Sequence, residues 1–96
     1  MKKIIIINGP NLNLLGNREG DIYGDSTLDE IKEECIIKSN ELNIECEFRQ
    51  SNNEGDLINF IHLAQDKYDG LIINPAAFTH TSVALLDALR AINKPK

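Results

Sequence analysis

Residues 3–24 read KIIIINGPNLNLLGNREGDIYG. Lys3 to Ile7 carries four consecutive isoleucines, apolar on both faces, the pattern of a central strand in a parallel sheet covered on both sides. Gly9 and Pro10 end it. The segment that follows is polar: Asn8, Asn11, Asn13 and Asn17 are spread along it, and Arg18 and Tyr23 stand at its far end. A strand that runs into a loop rich in amides sets the expectation for the rest of the chain.

The same alternation recurs twice. Thr27 followed by Glu30 has the form of a capping box, after which Leu28, Ile31, Cys35 and Leu42 share a helical stripe that should stop near Asn43. Ile44 to Arg49 is the second strand. Gln50-Ser51-Asn52-Asn53 turns it into a helix whose inner stripe is Leu57, Ile61, Ala64 and Tyr68. Gly70 to Ile73 is the third strand, ending at Asn74-Pro75, and Thr79 can cap a third helix carrying Val83, Leu86, Leu89 and Ile92.

The order βαβαβα with short connections predicts right-handed crossovers and a doubly wound parallel sheet, a three-layer αβα arrangement within one α/β domain over residues 1–96. In such a sheet ligands bind beyond the carboxyl ends of the strands, beside the point where strand order reverses. The segments placed there are Asn8 to Tyr23, Gln50 to Asn53, and Asn74 to His80. The third strand is apolar enough to be internal, and Lys94-Pro95-Lys96 stands where a Pro normally leads into a further element. The expectation is an incomplete domain, with at least a fourth strand missing from the third strand's outer edge.

Composition narrows the function. Of the 96 residues 42% are apolar, and 15 acidic against 10 basic residues give a net charge of −5. No basic stripe is available for a phosphate backbone, so nucleic acid is not an expected partner. The longest apolar run, Ile4 to Ile7, is far too short for a membrane span or a signal peptide, and the reading is a cytoplasmic protein. Cys35 and Cys46 lack metal-ligand spacing and are read as buried free thiols, so neither a metal nor a disulfide is expected.

Amides at three strand ends offer donors and acceptors without charge, which suits a ligand bearing several hydroxyls and a carbonyl or carboxylate. Asn also terminates strands and caps turns, so for each Asn taken singly both readings stay open. Gly9 and Gly16 have neither the ending of a P-loop nor the spacing of a dinucleotide fingerprint. Arg18 and Tyr23 allow a definite chemistry. A phenol of pKa about 10 is about 3 units from ionisation at neutral pH, and a guanidinium about 4 Å away offers an attraction of comparable size. With that help Tyr23 can serve as a base next to a carbonyl, with Asn11 or neighbouring amides as donors to the resulting enolate. An exposed Arg18 and a half-packed Tyr23 are the other reading. His80 at the start of the third helix can exchange hydrogen bonds with hydroxyls or act as a cap, and Asp87, two turns in, is either solvated or within reach of a neighbouring subunit. His62 reads as structural or surface.

NGPNLNLLG with R-E-x-x-x-Y-G, then T-L-x-x-I, Q-S-N-x-E-G-x-L-I and N-P-x-A-x-T-H-T-S-x-A-L-x-D-A-L, occur here in an order that resembles the type II 3-dehydroquinate dehydratases. The likeness extends over essentially all 96 residues; Gly20, where the family often has Pro, is a small departure. The resemblance implies a flavodoxin-like fold, no cofactor, and anti elimination of water from 3-dehydroquinate through an enolate, a lyase step of the shikimate and quinate pathways. By position, Tyr23 matches the base, Arg18 the group that activates it, and Asn11 a residue holding water near the enolate oxygen. Asn74 matches a contact to the substrate carboxylate and His80 one to its ring hydroxyls. Asp87 matches an acidic residue contributed to a neighbour's site, which the family's trimer-based homododecamer would account for.

The larger departure is that the family's E-V-H-x-S-N segment, with its general-acid His, and a later Arg are not among these residues. The resemblance therefore carries an expectation of truncation and of impaired turnover by the 96 residues alone. Two other classes stand beside it: a truncated, non-catalytic paralogue that binds a hydroxy acid or a protein partner, and a flavodoxin-like phosphate-binding or signalling domain, against which the lack of a phosphate loop and of an acidic cluster in this sequence counts.

Overall fold

A computed structural model describes residues 1–16, 26–79 and 82–96 of the chain. Strand β1 (Lys2–Asn8) leads through a 3-10 turn (Leu12–Leu14) toward helix α1 (Leu28–Glu41). Strand β2 (Ile44–Gln50), helix α2 (Glu54–Lys67) and strand β3 (Gly70–Asn74) follow, then a second 3-10 turn (Ala76–Thr79) and helix α3 (Val83–Ala91). The strands form one parallel sheet in the order β2-β1-β3, so the chain reverses its direction of travel across the sheet after β2. This is the doubly wound α/β arrangement expected from the alternation, and it puts a switch point at the end of the central strand.

Register decides which residues share a face. Ile4 and Ile6 stand beside Cys46 and Phe48 of β2, and Ile6 beside Ile72 of β3; Ile5 and Ile7 stand beside Leu71 and Ile73. Successive side chains alternate between faces. The face of Ile5, Ile7 and Leu71 is closed by α2 and α3 through Leu57, Ile61, Ala64, Leu85, Ala88 and Ile92. Among the described helices the opposite face receives α1 alone, which lies over β2 and brings Ile36 and Ser39 near Ile44 and Cys46. Residues of β2 that turn away from α1 are Glu45, Glu47 and Arg49, and an Arg49–Glu47 ion pair forms among them.

Caps follow the sequence closely. Thr27 accepts from the Glu30 N–H at the start of α1, and Asn53 from the Asp56 N–H at the start of α2. Asn43, at φ 60, takes up the left-handed turn just past α1, as the expected stop near that residue requires. Three expectations are corrected. The cap of α3 is Ser82, which accepts from the Leu85 N–H at 3.0 Å, because the 3-10 turn Ala76–Thr79 delays the helix. The buried stripe of α3 is Leu85, Ala88 and Ile92, while Val83 is 79% and Leu86 47% exposed. The sequence Val83-Ala84-Leu85-Leu86 is apolar all round, so its pattern does not fix the rotation of the helix. Leu42 is exposed because α1 ends one residue before it, and the one buried side chain of α1 is Ser39, whose hydroxyl donates to the Cys35 carbonyl at 2.7 Å.

Cys35 and Cys46 are free but only half-buried. Burial, with Cys46 and Glu34 close by, pushes the Cys35 thiol up, away from the reactive thiolate. Strand β3 ends the row of three strands, and the Pro95 carbonyl accepts a hydrogen bond from the Leu71 N–H at its outer edge. No helix among the described residues is long and apolar enough to cross a membrane.

Candidate functional site

Each strand runs one residue further than expected from sequence, and in every case the added residue is an amide: Asn8, Gln50 and Asn74. They are in register, Asn8 beside Gln50 on one side and Asn74 on the other, and so form a row across the carboxyl edge of the sheet. Being level on a pleated sheet, they leave it on one face, that of Ile4 and Ile6.

The row is laced to the backbone. Asn8, only 8% exposed, donates from Nδ2 to the Arg49 carbonyl of β2 at 3.1 Å. Gln50 reaches back, donating from Nε2 to the Gly9 carbonyl at 3.2 Å. On the other side, the Gly9 N–H donates to the Asn74 carbonyl at 2.8 Å. A Cβ on Gly9 would lie 2.5 Å from the Pro75 carbonyl oxygen, so only glycine lets the ends of β1 and β3 come this close. The Asn74 side-chain oxygen accepts from the Ala76 N–H at 3.1 Å across a turn in which Ala76 has φ 52.

Asn11 stands just beyond β1. Its φ of 66 and ψ of −2 are left-handed, a conformation that Asn tolerates better than other side chains with a Cβ. It starts the 3-10 turn without a capping hydrogen bond from its side chain, so its amide is not used to hold the turn. Buried Leu12 and Leu15 fasten this segment to the body of the domain. The Asn11 N–H donates to Asn52 Oδ1 at 2.9 Å, and Gln50 Nε2 also lies within hydrogen-bond distance of Asn52 Oδ1 (3.1 Å) and Asn13 Oδ1 (3.4 Å). On the α1 side of Gln50 opens a cleft of about 420 Å³, lined by Asn13, Thr27, Asp29, Lys32, Phe48 and Gln50.

The structure thus brings Asn11 and Asn74 to the ends of adjacent strands. Asp87 lies elsewhere, exposed on α3 with Val83 and Leu86 on the same outward face. Arg18, Tyr23 and His80 lie outside the described residues, and His62 is exposed. Gln50 and Asn52 received no individual role from the sequence, although the segment holding them was placed at a strand end. Their signal was the run of polar side chains Gln50-Ser51-Asn52-Asn53 where one cap, Asn53, would suffice. Among the described residues no group of His, Cys, Asp or Glu is placed to hold a metal ion. The arrangement is a set of uncharged donors and acceptors at a switch point, suited to a small ligand rich in hydroxyls and carbonyl oxygens.

Known proteins share the sequence and the fold of this chain. The family profile described as dehydroquinase class II matches residues 2–96. The chain is 55% identical over 96 residues to a 3-dehydroquinate dehydratase of Caldicellulosiruptor saccharolyticus, covering 99% of this chain and 66% of that protein. It is 52% identical over 92 residues to 3-dehydroquinate dehydratase 1 of Agrobacterium fabrum, covering 96% of this chain and 63% of the relative. The crystal structure of type II dehydroquinase from Propionibacterium acnes superposes with a TM-score of 0.92 at 40% identity, over 99% of this chain and 66% of that one. The chain therefore spans about two thirds of the length of the proteins it matches. The profile match over residues 2–96, the identity and the superposed fold agree along nearly the whole chain: the chain belongs to the class II dehydroquinase family.

Proposed function

We propose that this chain provides the base and much of the substrate pocket of a 3-dehydroquinate dehydratase, a lyase that removes water from 3-dehydroquinate to give 3-dehydroshikimate. The observation that carries the reading is identity above 50%, over nearly the whole chain, to relatives bearing that name. Tyr23, held as phenolate by Arg18, takes a proton from the carbon beside the ketone, and the electron pair moves onto the carbonyl oxygen. Asn11 holds a water against that enolate oxygen. The enolate then re-forms the ketone, a carbon–carbon double bond forms as the carbon–oxygen bond of the departing hydroxyl breaks, and a general acid supplies the proton that turns hydroxide into water. Asn74 contacts the substrate carboxylate and His80 the ring hydroxyls.

Asp87, exposed on α3, reaches the site of a neighbouring subunit in a trimer-based homododecamer, and the enzyme works in the cytoplasm without a cofactor, a membrane or a nucleic acid. A polypeptide of these 96 residues alone turns over slowly or not at all, since a positioned acid contributes about 10²- to 10⁴-fold and the family's acid-bearing segment is not among them. The test is formation of 3-dehydroshikimate by a chimera joining these residues to the C-terminal third of the Caldicellulosiruptor relative. Turnover abolished by Tyr23→Phe, with substrate affinity kept, is the expected result. A folded chimera with no turnover, or one whose Tyr23→Phe variant works normally, overturns the reading.

A further inference from the structure

We infer that Gln50 and Asn52 are positioning residues that set Asn11 at the mouth of the site; the inference rests on the role proposed above for Asn11. The geometry is a short chain of hydrogen bonds. Asn52 Oδ1 accepts twice, from the Asn11 N–H at 2.9 Å and from Gln50 Nε2 at 3.1 Å. Gln50 Nε2 is itself fixed by the Gly9 carbonyl at 3.2 Å, where the backbone of β1 is pinned against Asn74. Asn52 is held in place by its own turn, since the Asn53 N–H donates to Ser51 Oγ and Ser51 Oγ donates to Asp56 Oδ2 at 2.8 Å.

This chain does a job that local sequence does not. Left-handed backbone at a residue with a Cβ is disfavoured, and the Asn11 side chain supplies no capping bond to offset it. The bond from its N–H to Asn52 does so from outside the segment, across from β2. It holds the backbone of Asn11 while leaving the side-chain amide out of the arrangement, and so aims that amide without consuming it. The two positions ask for opposite chemistry. Asn52 acts only through an acceptor oxygen, which a carboxylate also provides; Gln50 acts only through a donor NH₂, which a carboxylate lacks.

The polarity makes the inference testable apart from activity, through hydrogen exchange and chemical shift of the Asn11 backbone amide in the ¹⁵N-labelled 96-residue chain. Asn52→Asp should leave Asn11 exchange near that of the parent, and Asn52→Ala should speed it by about fivefold to tenfold, the worth of one such bond. Gln50→Glu should also speed it, by placing a carboxylate against three acceptor oxygens. Unchanged exchange in Asn52→Ala, or equal acceleration by Asn52→Asp and Asn52→Ala, overturns the clamp. A second arm adds 3-dehydroquinate to the chimera described above and follows the Asn11 side-chain NH₂ signal. If that signal is unmoved in the folded chimera, the proposed substrate reading fails while the exchange result still decides the clamp.

Discussion

The two faces of the sheet are built on different terms. Beneath α2 and α3 lie Ile5, Ile7 and Leu71, and each is at most 3% exposed. Leu57 and Ile61, which meet them, are fully buried. The other face carries Ile4, Ile6, Phe48 and Ile72 under one of the described helices, and cover is thin: Ile72 is 56% exposed, as is Ile37 of α1. The amide row leaves the sheet on this second, looser face. Apolar burial scales with area removed from water, so the closed face carries most of the stability, and the face that bears the polar row contributes less.

The largest test of that division is Ile61→Ala on the closed face. A fully buried isoleucine cut to alanine in a packed core costs about 2–5 kcal/mol, read from the urea midpoint at constant slope. Ile36→Ala on the α1 side, where the side chain is only half-buried, should cost less than about 2 kcal/mol. Equal losses would dissolve the contrast between faces. Next in size is Gly9→Ala, at the rim where the faces meet. Its new methyl would face backbone, the Pro75 carbonyl at 2.5 Å, so the ends of β1 and β3 must part, at about 1–3 kcal/mol. Because the strain falls between Asn8 and Asn74, the variant should also show shifted amide resonances along the row. A variant as stable as the parent would mean that the strand ends are not held so closely.

Ala76→Gly moves stability the other way. Alanine at φ 52 is strained by about 1–2 kcal/mol, of which glycine relieves part while adding entropy to the unfolded chain, for a net gain of about 0.5–1 kcal/mol. The turn lies beyond β3, outside both apolar faces, so the gain should appear as a higher melting temperature with no change in the slope of urea unfolding. A loss of stability would show that the left-handed turn at Ala76 is held against no strain.

What the sequence revealed and what it withheld follow the same physics. The central strand and the α2 stripe were legible because Ile4 to Ile7 are apolar on both faces and Leu57, Ile61 and Ala64 have a single helical periodicity, which burial satisfies in one way. The α3 stripe was misplaced because Val83, Ala84, Leu85 and Leu86 satisfy two rotations equally, and only contact with α2 selects Leu85 and Ala88. Asn11 and Asn74 were named from sequence, but the hold of Asn52 on Asn11 spans 41 residues of chain and has no local signature. That Asn8, Gln50 and Asn74 are level depends on strand register, which no single segment encodes.

Ile72→Thr sharpens the comparison from its weak side. The residue lies on β3 beside Ile6, more than half exposed, and threonine keeps the β-branch that suits a strand. Its effect should stay within about 0.5 kcal/mol, while solubility at high concentration rises because an apolar edge position has become polar. A loss matching that of Ile61→Ala would mean that this face is packed after all.

The smallest effect belongs to Asp69, which serves neither face and ties the amino ends of β3 and β1 together. Its carboxylate accepts from the Lys3 N–H at 2.8 Å, and its own N–H donates to the Lys3 carbonyl at 2.7 Å. The Lys3 bond above all holds the Asp69 carboxyl below its ordinary value; loss of hydration opposes it, and the charges of Lys2, Lys94 and the amino terminus reinforce it. A carboxyl depressed in the folded state binds its proton more readily when unfolded. Its contribution is therefore complete above the ordinary aspartate value, about 3.9, and is lost as pH falls through the lower folded value. The Asp69 carboxyl signal should titrate below that of the same residue in urea, and Asp69→Asn should flatten the acid side of the stability profile without altering the neutral plateau by more than a surface substitution does. A titration midpoint at or above the unfolded one would remove the Lys3 bond as the cause, and would leave the backbone bond from the Asp69 N–H to the Lys3 carbonyl and the β1–β3 ladder to align this end of the sheet.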